Sequence, residues 1–489
     1  MEEHAVRGVP WTLLSYAAAR GLMLLAMIPL ARLLEPADFG IVALGMLVIA
    51  LARLLSDLGL GSTMLYRPDL DRSQLRTLLT LMVASGVAAS LVLVAVAPLL
   101  AIALREPRLT WVLVALAGVL LLNGVIWFHE SLIVRELAFK RRFVTQLAQS
   151  GVYAIGAPLL ALAGAGVWSL VFGQLAAAVT SAVVASALAP FRVRPGLDRA
   201  VARDLFGVSA GFMSLGVVTF IRQNVDYLVV GRTLGASSLG YYSMAYRLTE
   251  LPSSAVAEPV ARVTFPAFSR MRTRNEDVAS AFVPVLRLVA LVTVPMGVLL
   301  SATSDPFTRT VFGEEWAPMV PALTALGIWG AVRPTWTTLG WYLNSVGEAA
   351  VLARYTAVSL VLLTAAAAVA ATVGTITTVA WVVTTEIVLL TVVYARRADR
   401  AAGVPLRQQL GALLPAWSAG ALCWLAARAT VTALDGEGTA VALVGGIAAG
   451  SLVFVGTLLL VAPDVVRQAI RQVGRTLGRD SDVTTDSAT

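Results

Sequence analysis

Long apolar runs constrain this chain more than any other feature of its sequence. A helix needs about 20 apolar residues to cross the roughly 30 Å hydrocarbon core of a bilayer. Because the bilayer core offers backbone groups no water, such runs are expected to be α-helical. We therefore predict an all-α polytopic membrane protein with about 14 transmembrane helices. The runs, numbered as spans 1 to 14, are 12–34, 38–60, 78–104, 110–130, 146–165, 167–188, 206–230, 237–262, 280–303, 317–343, 350–373, 375–395, 409–430 and 438–462.

The composition excludes a soluble globular protein. The 489 residues are 58% hydrophobic and only 13% charged, and the mean hydropathy is +0.81. The chain is strongly basic, but its basic residues form short clusters between apolar runs, so we expect no nucleic-acid partner. With one cysteine and two histidines, neither a catalytic constellation nor a metal site nor a bound cofactor is expected. The pair Asp69 and Asp71 is a lone match to the spacing of metal-binding aspartates.

The distribution of arginine predicts how the chain is oriented. Most arginines lie before span 1 and in the connections after spans 2, 4, 6, 8, 12 and 14, whereas the connections after odd-numbered spans hold few. Cytoplasmic loops carry the excess of Lys and Arg. We therefore expect a multi-pass protein of the bacterial plasma (inner) membrane with both termini in the cytoplasm.

The chain contains an internal duplication. The sequence Ala31-Arg32-Leu33-Leu34, followed by Gly40, is echoed 200 residues later by Gly231-Arg232-Thr233-Leu234, followed by Gly240. Six spans separate the two copies, so both halves enter the membrane from the same side, which defines a parallel repeat. We predict two six-helix lobes at residues 1–190 and 206–395, two additional helices at 409–462, and a cytoplasmic tail at 463–489 that is disordered at its end.

The second copy of the repeat also carries a family resemblance. It resembles Wzx-type polysaccharide flippases of the multidrug/oligosaccharidyl-lipid/polysaccharide exporter superfamily, in the spaced residues Asn224, Asp226, Gly231, Gly235, Leu239, Gly240 and Tyr242. The first half resembles the same family in Asp38-Phe39-Gly40 and in Asp57, Gly59 and Gly61. The resemblance implies a flippase, not an enzyme.

In that family the cargo is a lipid-linked oligosaccharide of the undecaprenyl-pyrophosphate type, used for lipopolysaccharide or exopolysaccharide synthesis. Alternating access between the two lobes is the expected mechanism. Coupling to a proton or sodium gradient, and other polysaccharide-assembly membrane proteins as partners, are open expectations.

Charged residues inside the spans are the candidate site. A charge within a bilayer is costly unless it faces protein or trapped water, and guanidinium groups suit pyrophosphate. We predict substrate-binding roles for Arg20, Arg53, Arg222, Arg247 and Arg333. Asp57 follows Arg53 by four residues and Asp226 follows Arg222 by four, so both arginines have the alternative role of structural ion pairs.

The remaining candidates have no partner at helical spacing. Arg20 and Arg333 lack a carboxylate one turn away, and Pro334 predicts a kink or interruption of span 10. Glu386 either stays protonated by burial or pairs with an arginine from another helix. Asp57, Asp226 and Glu386 are therefore candidates for ion coupling or structural pairing, whereas Glu130, at the end of span 4, is expected in interfacial water.

Two other functions compete with the flippase. A MATE-like, cation-coupled exporter of small molecules is expected to have an acidic or aromatic cavity, and the excess of arginine in the spans argues against it. A membrane-embedded polysaccharide polymerase or ligase is expected to have a large outward loop. The outward connections of this chain are short.

Overall fold

A computed structural model describes residues 2–57, 60, 64, 70–136 and 138–463. Every regular element among these residues is a helix, which confirms the all-α class. The α-helices are α1 (Glu2–Leu33), α2 (Pro36–Asp57), α3 (Arg72–Ala103), α4 (Leu109–Arg135), α5 (Phe139–Leu162), α6 (Val167–Leu188), α7 (Arg199–Thr249), α8 (Glu258–Thr273), α9 (Val278–Ala302), α10 (Ser304–Val311), α11 (Val320–Ser345), α12 (Ala349–Val373), α13 (Ile376–Ala401), α14 (Leu406–Ala433) and α15 (Thr439–Val461).

The helices have the length of membrane spans. Nine helices in the described ranges are long and apolar enough to cross a membrane, judged by length and composition. Each of the predicted apolar runs overlaps a helix. The multi-pass architecture is therefore confirmed, and the count of about 14 spans stays a prediction.

Two irregular turns interrupt the chain between spans 7 and 9. Gly235 divides α7, with a φ of 86° and a ψ of 175° that only glycine adopts readily. A π-helical turn, Ser253–Ala257, then joins α7 to α8. Turns of this kind are frequent at functional sites.

Of the kink or interruption expected at Pro334, the interruption is wrong and the kink stays a prediction. α11 runs from Val320 to Ser345 with Pro334 inside it. Proline is tolerated within membrane helices where neighbouring groups satisfy the freed backbone atoms. The Thr338 hydroxyl also donates to the Pro334 carbonyl at 2.8 Å.

The two copies of the repeated turn lie against each other. A Cβ atom on Gly40 would sit 1.8 Å from the Ala236 carbonyl oxygen, and a Cβ on Gly240 would sit 1.8 Å from the Pro36 carbonyl oxygen. Both distances are far inside van der Waals contact. Glycine is therefore required at both equivalent positions because the backbones of α2 and α7 touch there.

The chain forms two compact units. The first comprises Met1–Leu248, Val311–Ala322 and Ala349–Glu386, and the second comprises Thr249–Thr310, Leu323–Glu348 and Ile387–Thr489. In the second unit, α9 packs against α14 and α15 around Val294, Cys423 and Phe454. The predicted lobes at 1–190 and 206–395 and the additional helices at 409–462 stay predictions. The tail beyond residue 463 lies outside the described residues.

Candidate functional site

Arg222 and Glu386 form a buried ion pair within the first unit. Arg222 of α7 donates from Nη1 to Oε1 of Glu386 on α13 at 2.8 Å, and their side chains are 6% and 13% exposed. Ser359 of α12 donates to the same carboxylate oxygen. The prediction that Glu386 pairs with an arginine from another helix is therefore confirmed.

Asp226 accepts a hydrogen bond from a tyrosine. Tyr242 donates its hydroxyl to Oδ2 of Asp226 at 2.7 Å, and Oδ1 is buried without a hydrogen-bond partner among the described residues. Arg222 is also within electrostatic range of Asp226, so its guanidinium faces two carboxylates, and the expected structural pair of Arg222 with Asp226 stays a prediction. Tyr242 follows the break at Gly235 in the second half of α7. Tyr227 packs edge-on against Tyr242, with ring centroids 5.8 Å apart.

A second group of charges lies among the first six helices. Arg53 of α2 is within electrostatic range of Glu130 on α4, and Glu130 is also close to Arg142 of α5 and hydrogen-bonded to Ser181 of α6. Glu130, on another helix, is therefore a carboxylate that faces Arg53 in addition to the one expected from spacing. The expected Arg53–Asp57 pair stays a prediction.

Glu130 does not lie at the end of its helix, and its placement in interfacial water stays a prediction. α4 continues beyond it to Arg135, so the carboxylate faces neighbouring helices instead of the helix end. It is half-buried between two arginines.

Arg333 has a carboxylate partner in the second unit. Its Nη1 donates to Oε1 of Glu250 at 3.0 Å, and its guanidinium lies 4.6 Å from the ring centroid of Trp329, a cation–π contact. As expected, no carboxylate lies one turn from Arg333 on its own helix, but Glu250 of another helix compensates its charge. Backbone packing brings the partner close, since a Cβ on Gly330 would lie 2.4 Å from the Thr249 carbonyl oxygen.

Arg20 and Arg247 differ from the other three arginines because both are exposed. Arg247, on α7, is within electrostatic range of the Tyr153 hydroxyl of α5, which is hydrogen-bonded to Gln174 of α6. In the described part of the chain, no carboxylate forms a salt bridge with Arg247. An exposed guanidinium beside hydroxyl and amide groups is suited to bind an anionic, hydroxyl-rich ligand.

Sequence reasoning gave no role to Ser359 and Tyr242, and it did not identify Glu130 and Glu250 as partners of arginines. Tyr242 had a signal, because it belongs to the spaced pattern that carries the family resemblance. The other three are single polar residues in apolar helices, and no sequence spacing links them to their partners. Asp71 proves to be the N-cap of α3, where it accepts from the backbone N–H of Gln74 at 2.7 Å. Asp69, Gly59 and Gly61 lie outside the described residues.

Long apolar helices with buried ion pairs and exposed intramembrane guanidinium groups define the class of protein as a multi-pass membrane transporter. A family model described as "Polysaccharide biosynthesis protein" matches residues 29–321. The chain therefore belongs to the polysaccharide biosynthesis protein family, and the family resemblance stated from the sequence is confirmed.

Similar proteins agree with this assignment. The chain is 29% identical to the succinoglycan biosynthesis transport protein ExoT of Rhizobium meliloti, over 76% of this chain and 75% of that protein. It is 27% identical to the lipopolysaccharide biosynthesis protein WzxC of Escherichia coli, over 70% of each chain. It is 26% identical to the teichuronic acid biosynthesis protein TuaB of Bacillus subtilis, over 68% and 69%.

Solved structures share the fold. The lipid II flippase MurJ, in an inward closed conformation, aligns with a TM-score of 0.75 at 13% identity, over 94% of this chain and all of MurJ. A multidrug resistance MATE transporter in an inward-facing conformation aligns with a TM-score of 0.57 at 14% identity, over 83% and 96%. The expected fold is therefore confirmed.

Proposed function

We propose that this chain is a flippase for a lipid-linked oligosaccharide of the undecaprenyl-pyrophosphate type in surface polysaccharide synthesis. It moves the lipid from the cytoplasmic to the outer leaflet by alternating access. The curated relatives support this proposal because they are named for polysaccharide synthesis or transport. Their names give three different polysaccharides, so they do not identify the sugar of this cargo.

The observation that carries the proposal is the difference among the five candidate arginines. Arg53, Arg222 and Arg333 each face a carboxylate, so their positive charge is compensated inside the protein. Arg247 is exposed beside a hydroxyl and an amide. A cationic surface of this kind inside an apolar bundle fits a diphosphate headgroup. We therefore assign the headgroup to Arg247, with Arg20 as the second exposed arginine, and assign structural roles to the other three.

A MATE-like exporter of cations fits the same fold less well. A cation needs an accessible carboxylate, and the carboxylates described deep in the helices are engaged. Glu250 and Glu386 pair with arginines, and Asp226 accepts a hydrogen bond from Tyr242. The test of this alternative measures the uptake of labelled cationic dyes into everted vesicles. Uptake that requires the protein would favour a MATE-like exporter.

Ion coupling, if present, is assigned to Asp226. The first unit holds the two carboxylates of Asp226 and Glu386 near the single guanidinium of Arg222. Since Glu386 takes the ion pair, Asp226 is the acid that exchanges a proton or a monovalent cation. Asp57 and Glu386 then have no direct part in coupling.

The cellular setting follows from the same function. We place the protein in the bacterial plasma membrane with both termini in the cytoplasm, because the cytoplasm is where lipid-linked sugars are assembled. Other membrane proteins of polysaccharide assembly are the expected partners on the opposite face.

The test replaces Arg247. In a strain that lacks its own flippase, Arg247→Ala should lower export of surface polysaccharide at least about tenfold, because a charge-assisted contact is worth about 1.5–3 kcal/mol. Arg247→Lys should restore export in part, since lysine keeps the charge but not the planar fork. Reconstituted vesicles with labelled lipid-linked oligosaccharide measure the same step directly.

The matched control is Arg428→Ala. Arg428 is an exposed arginine on α14, outside the repeated halves, and its loss should leave export unchanged. Wild-type export by Arg247→Ala, at an equal amount of protein in the membrane, would remove Arg247 from the headgroup site.

A further inference from the structure

Trp316 occupies a central position between the two copies of the repeated turn. It lies in the short 3-10 helix Glu314–Met319 and is fully buried. Its indole Nε1–H donates to the Ala31 carbonyl at 2.8 Å. Its ring packs edge-on against Phe39 of the first copy and Tyr241 of the second, at 5.2 Å and 5.8 Å between centroids. One side chain therefore ties both copies together.

Backbone contacts close the same end of the first unit. Gly40 and Gly240 let α2 and α7 touch. The repeat-related arginines also act alike. Arg32 donates to the carbonyl of Val311, the last residue of α10, and Arg232 donates to that of Ala103, the last residue of α3. Each caps a helix C-terminus, where cations are favourable. The contacts that occur in both copies of the repeated turn are thus the glycine contacts and those of the exposed arginines.

Trp316 breaks that symmetry. In the first half of the chain, residues 104–108 join α3 to α4, whereas in the second half residues 303–319 join α9 to α11. The additional residues form α10 and the 3-10 helix that carries Trp316. The residue 200 positions before it is Leu116, in the middle of α4. The segment around Trp316 therefore covers the contact between the two turns, and the connection 104–108 of the first half is too short to form an equivalent segment.

We propose that Trp316 is the latch of a gate at this end of the transport path, and that the path opens there when residues 311–319 move away from the two turns. The proposal rests on the proposed function, because alternating access requires a gate on each side. Contacts made through glycine carry no interlocking side chains and separate easily. Most of the closing free energy therefore belongs to the buried indole, and removing it shifts the population toward the open state.

The test measures access to a buried cysteine. In a chain whose Cys423 is replaced by alanine, Ala31→Cys places a thiol where the native side chain is 1% exposed. The protein is held in lipid nanodiscs so that a polar maleimide reaches both faces. Trp316→Ala should raise the labelling rate at least about tenfold, which corresponds to about 1.4 kcal/mol. Trp316→Phe should have a smaller effect, because it keeps ring packing and loses the N–H donor.

Two further variants separate gate opening from a hole beside the reporter. Gly40→Ala and Gly240→Ala retain Trp316 but force a methyl group against a carbonyl oxygen, so they should also raise labelling. The controls are Trp111→Ala, an indole that is 68% exposed at the start of α4, and Gly456→Ala, whose Cβ meets open space. Both should label like the parent chain.

The outcomes are decisive without a transport assay. Faster labelling in Trp316→Ala alone would mean a local cavity and would overturn the latch. Unchanged labelling in all variants would overturn it as well. Faster labelling in the tryptophan and both glycine variants, in a protein that moves no lipid-linked oligosaccharide, would support the gate and count against the proposed cargo.

Discussion

Buried charges in this protein are neutralised by partners that are far away in the sequence. Arg222 meets Glu386 across 164 residues, and Arg333 meets Glu250 across 83. Removing one member of a buried pair strands the other, which costs about 3–5 kcal/mol, whereas the intact pair contributes little net stability. The pairs therefore specify how the helices assemble more than how stable they are.

Asp226 and Glu386 should respond differently to neutralisation. Glu386→Gln removes the charge that faces Arg222, so we expect a loss of about 3–5 kcal/mol and less protein in the membrane. Asp226→Asn keeps a carbonyl oxygen for the Tyr242 hydroxyl, so the protein level should stay near wild type while transport loses its dependence on the ion gradient. Thermal unfolding in detergent and export with and without an ionophore measure the two effects.

A contrary result would reassign the roles. Gradient dependence that survives Asp226→Asn would show that coupling lies elsewhere. A stable Glu386→Gln protein would show that Arg222 tolerates the loss of its partner.

Partner choice is the part of the site that the sequence predicts poorly. Spacing of four residues names Asp57 and Asp226 as the partners of Arg53 and Arg222, but it cannot reveal Glu130 and Glu386, which face the same arginines from other helices. The actual choice depends on which helices pack together. A carboxylate on another helix can approach a guanidinium head-on, and a tyrosine can take the remaining acid, as Tyr242 does.

At the scale of elements, the break in α7 is set by one residue. Gly235 adopts a backbone conformation in which a side chain is strained, although the space around its Cβ is open. The break redirects the second half of α7 so that Gly240, Tyr242 and Arg247 reach their positions.

Gly235→Ala should therefore destabilise the protein through the backbone alone. We expect a loss of about 1–3 kcal/mol and a lower Tm in detergent. Gly456→Ala is the matched control, because its Cβ also meets open space but its helical backbone favours alanine. That variant should be neutral or more stable by up to about 1 kcal/mol. Equal Tm values for the two variants would contradict the strain at Gly235.

Helix positions followed from the sequence much better than helix irregularities. Apolar runs located the helices because the bilayer imposes length and composition. Proline was a poor guide, since α11 continues through Pro334, whereas the breaks occur at Gly235 and in the turn Ser253–Ala257. Breaks depend on what the backbone packs against, and hydropathy does not record this.

At the scale of the whole molecule, orientation is open to direct measurement. In a chain without its native cysteine, single cysteines at the exposed positions Ser73 and Asp198 should react only with reagent supplied on the cytoplasmic side, because arginine-rich connections stay there. A cysteine at the exposed Asp435 should react only from outside. Reaction of Asp198→Cys from outside would contradict the parallel repeat, since the second half would then enter from the opposite face.

The long separation between Arg222 and Glu386 has a consequence for biogenesis. The ribosome adds about 5–20 residues per second, so Arg222 is made roughly 8–33 seconds before Glu386. During that interval the newly made span 7 holds an arginine without the acid that later faces it, and an arginine at the centre of a span costs about 2.5–3.5 kcal/mol to insert. The nascent helix must therefore wait beside the translocon or other insertion machinery. A chain that stops before α13 lacks Glu386 and keeps Arg222 without that carboxylate. We expect membrane proteases to distinguish such a chain from the finished protein by this arginine.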